Sequence, residues 1–225
     1  MTFSTEWVDQ YGNSGALSYL LERQSFTLTE LPCTQSGEAW TVDYSNARDG
    51  VSAAKAQTTD GQSTYREYTV TGPAVVDFWW KVSSERNFDT FSYSLNGVNQ
   101  EAISGEIDWT YRTLTLPAGT HTIRWTYAKD ASDALGQDAG WLDEFAVYPA
   151  EATLRVSDGA TTLTGTTTVD FGAVNLQSAS PSKTFTFAND GYVPLEILIS
   201  LPEGSPFSFE EGSSYELLLG RGESI

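Results

Sequence analysis

Hydrophobic positions recur at every second residue along most of this chain, in short runs broken by turn-forming residues. In VVDFWWKV, residues 75–82, Val76, Phe78, Trp80 and Val82 fall on one face of an extended strand, and Asp77, Trp79 and Lys81 on the other. HTIRWTY, residues 121–127, repeats the pattern: Ile123, Trp125 and Tyr127 point inward, Thr122, Arg124 and Thr126 outward. Asn96-Gly97 is a hairpin signal, because both residues tolerate the positive φ of the tight turns that match strand twist. Pro117 and Gly119 in LPAGTH predict another turn, between LTL and HTIRW. Further strands are predicted at 26–30, 39–42, 65–70 and 141–148. Helical spacing is confined to GALSYLLERQ, residues 15–24, which reads equally as a linker or strand.

The texture changes near Pro149-Ala150-Glu151. All seven Trp precede residue 150, and the remainder (ATLRVSDG, TTVDFGAV, KTFTFANDG, PLEILISLP) is lighter and rich in Thr, Val and Leu. The predicted fold is all-β, with two tandem antiparallel β-sandwiches. The first spans 24–149 and the second 151–225, behind a linker or tail over 1–23. The second unit offers few strands for a closed sandwich, so it is expected to be C-terminally incomplete.

Charge narrows the partners. Twelve basic against thirty acidic residues give a net charge of −18. The excess is shared: residues 1–150 hold nine basic and twenty acidic residues, and 151–225 hold three and ten. Such a field repels nucleic-acid backbones and anionic lipid surfaces. No run of eighteen apolar residues provides a membrane span. Cys33 is the single cysteine and His121 the single histidine, which excludes an internal disulfide, a thiolate cluster and a multi-histidine metal site.

Two resemblances follow from particular stretches. RDGVSAAKA, TVTGPAVVDFWWKVSSE, SYSLNG, AISGEIDW, LPAGTHTIRWTYAKD and DAGWLDEF together resemble the MAM-like jelly-roll modules of bacterial surface and secreted proteins, over about 125 residues. VDFGAV followed by KTFTFANDGYVPLEI is similar to the immunoglobulin-like repeats called choice-of-anchor D, of the abnormal-spindle/hydin type, over about 70 residues. The first resemblance implies a non-catalytic sandwich for adhesion or carbohydrate binding, and the second a spacer. Both imply an extracellular, secreted or cell-surface setting, within a larger parent chain whose signal and anchor lie elsewhere. The implied partner is a glycan or a cell-surface protein. The alternative is a stalk that displays a catalytic or adhesive domain.

Candidate chemistry is sparse. SGEIDWTY, residues 104–111, matches the first half of the Glu-x-Asp-x-Glu strand of laminarinase-type glycoside hydrolases, with Glu106 and Asp108 in place. A retaining mechanism needs a second carboxyl about 5 Å from the nucleophile. Positions 110 and 111 are Thr and Tyr, so hydrolysis at Glu106 is disfavoured and the pair is expected in a turn leading into a strand anchored by Trp109 or Tyr111. His121 has no Gly-x-Ser-x-Gly elbow to serve and is expected to be a hydrogen-bonded strand-end residue. Sugar rings stack on flat apolar surfaces, and Trp79 is the aromatic that alternation turns outward. It reads either as a ligand platform with Asp77 and Arg124 or as a ring covered by a loop or by the second unit, and Trp141 is nominated as a second platform. The loop 129–140 carries Asp130, Asp133 and Asp138, followed by Asp143 and Glu144; it reads either as solvated turns or as an oxygen-rich calcium site. In related sandwiches a calcium ties the first strand to the last, which nominates Glu30, Asp49 and Asp143.

Overall fold

The computed structural model describes residues 33–165, 167–171, 182–200 and 216–225. The predicted features at 15–24 and 26–30, and Glu30 itself, lie outside these residues. Within them every regular element is a strand, and all the pairings between strands are antiparallel.

Eight strands form one connected sheet: β1 (Cys33–Ser36), β2 (Thr41–Asp43), β3 (Ala53–Ala56), β4 (Ser63–Ser83), β5 (Thr90–Leu95), β6 (Val98–Ile103), β7 (Glu106–Ala128) and β8 (Ala139–Pro149). β4 and β7 are too long for one layer and pair along their length, with register breaks at Gly72/Ala74 and Trp80/Val82. Their halves therefore belong to two layers. The first layer runs β6, β5, β7 (119–128), β4 (63–72) and β1; the second runs β7 (106–116), β4 (74–83), β8, β3 and β2.

The bend falls where Gly72-Pro73 crosses Pro117–Gly119, with Gly72 paired to Gly119. A Cβ on Gly72 would collide with the Pro117 carbonyl oxygen, so only glycine fits this crossing. The sequence predicts a turn at LPAGTH; the chain instead continues as one strand folded over a corner. His121 braces that corner, its Nε2–H donating to the Pro117 carbonyl at 3.0 Å while Asn96 Nδ2 lies 3.2 Å from its Nδ1.

The alternating residues of both layers meet as the core. Val76, Phe78, Trp80 and Val82 interleave with Phe91, Tyr93, Ile123, Trp125 and Tyr127, and all are buried. Rings cross between layers at favourable edge-to-face geometry, Phe78 to Trp125 at 5.0 Å and 88° and Phe78 to Tyr93 at 5.2 Å and 77°. Gly140 lets β8 lie beneath the Phe91 ring, whose nearest atom would be 2.6 Å from any Cβ there.

Beyond residue 150, β9 (Leu154–Asp158), β10 (Thr161–Leu163) and β11 (Phe185–Asn189) make a three-stranded sheet, and β12 (Leu195–Leu198) pairs with β13 (Glu216–Leu219). Asn189, fully buried, knits the two together: its Nδ2 donates to the carbonyls of Val193, Leu219 and Gly220, and its Oδ1 accepts from the Gly191 and Thr153 amides. The final residues pair with β11 through Phe187 and Ile225, which exchange both backbone hydrogen bonds.

This second region meets the first through Arg221. Its guanidinium lies 2.6 Å from Asp77 and over both Tyr148 and Tyr192, whose rings stack at 4.3 Å and 12°.

Candidate functional site

The outer face of the second layer collects the side chains that alternation points away from the core. Paired residues on neighbouring strands share a face. Tyr111, Trp79 and Asp143 therefore form one row across β7, β4 and β8, and Lys81, Trp141 and Lys55 a second row across β4, β8 and β3.

Trp79 is half-buried at the centre. The Arg48 guanidinium stacks over its ring at 3.7 Å, and Tyr111 packs beside it at 5.4 Å and 49°. A bulge in β8 sets this up: Glu144 and Phe145 together oppose Phe78, Phe145 enters the core, and Glu144 is turned with φ +47° toward Arg48, which it ion-pairs. Tyr111 keeps 39% of its surface exposed. Burial and the neighbouring Asp77 carboxylate push its hydroxyl pKa above the ordinary value, so it stays a neutral donor.

Several expected partners lie elsewhere. Arg124 is not beside Trp79: it stands opposite Glu67, at the far end of β4, where it ion-pairs that residue at 2.9 Å and stacks over Tyr65 at 4.0 Å. The separation follows from the bend, which puts the two halves of β4 in different layers. Asp77 does share the outer face with Trp79, but it is buried and held by Arg221.

Trp141 points outward yet has no exposed surface. Trp109 packs against the cluster it forms with Ala53 and Ala139, Lys55 and Lys81 lie over its ring at 5.6 and 5.9 Å, and its Nε1–H donates to Asp43 at 2.8 Å. It is a covered aromatic rather than a platform. Arg48, which carries no candidate role in the sequence, and Tyr111, expected there as a strand anchor but 39% exposed, are the residues that border Trp79. Arg48 carries no periodic signal because it sits in a loop, whereas the outward parity of Tyr111 could have been read from LTL and TYRT.

Glu106 and Asp108 are the first residues of β7, and the preceding turn is Ser104-Gly105 rather than the pair itself. Glu106 accepts a hydrogen bond from Ser83 Oγ at 2.7 Å, and Asp108 pairs with Lys81 at 3.3 Å. The acidic pair is thus engaged by neighbours on β4, and Thr110 and Tyr111 supply no third carboxylate on the strand.

Asp143 and Asp49 lie close together, and backbone amides engage both. Asp143 is fully buried and accepts the Arg48 amide at 2.7 Å on Oδ2 and the Glu144 amide at 2.7 Å on Oδ1. Asp49 accepts the Val51 and Ser52 amides on Oδ1. These bonds close the loop that carries Arg48.

No protein-family model matches the chain, and no curated protein matches it. Among solved structures it is similar to the secreted serine protease VesC from Vibrio cholerae, at TM-score 0.39 and 14% identity over 42% of this chain and 21% of that one. It is also similar to TmCBM61 in complex with β-1,4-galactotriose, at TM-score 0.38 and 20% identity over 52% of this chain and 88% of that one. A third likeness is to the K1 cleaved adhesin domain of Lys-gingipain from Porphyromonas gingivalis W83, at TM-score 0.41 and 12% identity over 56% and 94%. The chain spans about a fifth of the VesC chain.

Proposed function

We propose that the protein is a non-catalytic extracellular binding module, with the outer face of its second layer as the ligand surface and glycans as the ligand class. The observation that supports this reading is the group Arg48, Trp79 and Tyr111: an aromatic pair with a guanidinium stacked over Trp79 and with Tyr111 open to solvent. Such a surface suits a sugar, whose C–H face packs on the exposed Tyr111 ring while its hydroxyls meet the Arg48 guanidinium. Residues 24–149 are read as a MAM-like jelly roll and 151–225 as an immunoglobulin-like companion, in a secreted or surface-displayed parent protein.

Retention on immobilised polysaccharides and a glycan array test this directly. The expected result is binding that Tyr111→Ala and Trp79→Ala each weaken by about tenfold or more, since a stacking residue contributes on the order of 1–2 kcal/mol. Binding to no glycan, or binding indifferent to both substitutions, rejects the reading. The spacer alternative draws its support from Arg221, which fastens the second region onto the first. Absence of glycan retention in a folded protein would favour it.

A further inference from the structure

A second constellation lies away from the aromatic face, where the turn after β4 meets the end of β7. Glu85, Asp89 and Asp130 each place a carboxylate oxygen there, all within 4.8 Å of one another. The turn is tightly built: the Asp89 amide donates to the Glu85 carbonyl at 3.1 Å and Ser84 Oγ donates to the Asp89 carbonyl at 3.0 Å. Asp89 Oδ1 accepts the Asp130 amide at 3.0 Å, which brings the loop after β7 over the turn.

What sets this cluster apart from ordinary surface acidity is burial without partners. Asp89 has no exposed surface, and its Oδ2 meets no hydrogen-bond donor; Glu85 Oε2 is likewise buried and unpartnered. The nearby cation does not satisfy them. Lys129 is held by Asp138 and, at 2.9 Å, by Asp60. A buried carboxylate oxygen without a donor is costly, and three carboxylates in one pocket repel each other. Burial and the surrounding acids (Asp130 and Asp133 for Glu85, Asp130 and Asp138 for Asp89) push both groups above the usual carboxylate range, against the opposing pull of Lys129. Lining groups of this kind are what a hard cation requires.

We propose that Glu85, Asp89 and Asp130 form a binding site for a calcium ion that joins the β4–β5 turn to the loop after β7. Oxygens bound to one Ca²⁺ at about 2.3–2.6 Å stand no more than about 5 Å apart, and the three carboxylates meet that span. Three carboxylates match the charge that Ca²⁺ prefers, and its tolerance of irregular geometry fits ligands drawn from two loops better than the strict octahedron of Mg²⁺. This site is separate from Asp49 and Asp143, and it does not depend on the glycan reading.

Calorimetric titration of chelator-treated full-length chain with CaCl₂, alongside thermal melts, is the test. The expected result is one equivalent of Ca²⁺ bound with Kd of about 10⁻⁴ M or tighter. The Tm should rise by about 5–10 °C at a hundredfold excess over Kd, with a smaller rise in MgCl₂. Glu85→Gln and Asp130→Asn, whose side chains are only partly buried, should weaken binding more than tenfold while keeping the wild-type circular dichroism. Asp89→Asn should do the same if it folds. No heat and no Tm change up to about 10 mM Ca²⁺ overturns the proposal. So does wild-type affinity in both Glu85→Gln and Asp130→Asn, or loss of binding in Asp49→Asn alone.

Discussion

The Arg221–Asp77 contact gives the sharpest quantitative prediction. Asp77 sits on the outer face of β4 with 9% of its side chain exposed, and Arg221 approaches it at 2.6 Å while its own side chain is 38% exposed. Two unit charges about 4 Å apart at an effective dielectric near 20 attract by about 4 kcal/mol, and partial solvation of Arg221 together with the desolvation of Asp77 reduces this to a net of about 1–2 kcal/mol. Arg221 also lies over Tyr192 at 4.7 Å and Tyr148 at 5.2 Å, each contact contributing roughly 0.5 kcal/mol at a half-exposed site. Arg221→Ala therefore costs about 2–3 kcal/mol, part of it from leaving Asp77 without its cation. In Asp77→Asn that part vanishes, so a double-mutant cycle in urea should return a coupling of about 1–2 kcal/mol. A coupling below about 0.5 kcal/mol, or an Arg221→Ala loss of the same size with and without Asp77→Asn, would refute the view that this charge pair joins the two regions.

Two further predictions concern the covered aromatic. Trp141→Ala removes a side chain with no exposed surface, so it should lower the unfolding free energy by about 3–5 kcal/mol, measured by urea denaturation. A loss under about 1 kcal/mol would show that the ring is not packed as described. Its partner Asp43 predicts a pH dependence. Burial alone would raise this carboxyl, but bonds from Ser45, Asn46 and Trp141 outweigh it and hold the pKa far below the usual carboxylate range. A depressed pKa adds stability that is present above the unfolded value near 3.9 and is lost as pH falls through the folded one. Stability should drop between about pH 4 and pH 2, and Asp43→Asn should flatten that slope; equal slopes in the two proteins would contradict the assignment.

Alternation disclosed the core well, because a strand's period assigns each residue to a face whatever its neighbours are. Val76, Phe78, Trp80, Ile123, Trp125 and Tyr127 are all buried as their spacing predicts. Face does not determine cover, however, and Trp141 shows the difference: it points outward, yet Lys55 and Lys81 from two other strands lie over it and Trp109 packs against its cluster. Register was equally illegible. Arg124 and Trp79 both read as outward residues on adjacent strands, and only the pairing of β4 with β7 places them in different layers. The same holds for Glu85 and Asp89, which look like ordinary turn residues until β7 delivers Asp130 beside them. The two long strands were hidden because Gly-Pro and Pro-Ala-Gly ordinarily end strands, whereas here they fold the strands over a corner.

That corner has a mechanical side. Cys33 at the start of β1 pairs with Tyr68, and Pro149 at the end of β8 pairs with Ala74. β1 and the end of β8 thus meet the same strand six residues apart, a contour of about 20 Å, on either side of its bend. Tension applied between these two strands would pass across one corner and leave most of the described sandwich unloaded. A strut would place its ends at opposite poles; this unit is mounted like a pennant on a line, its broad face held out to whatever drifts past.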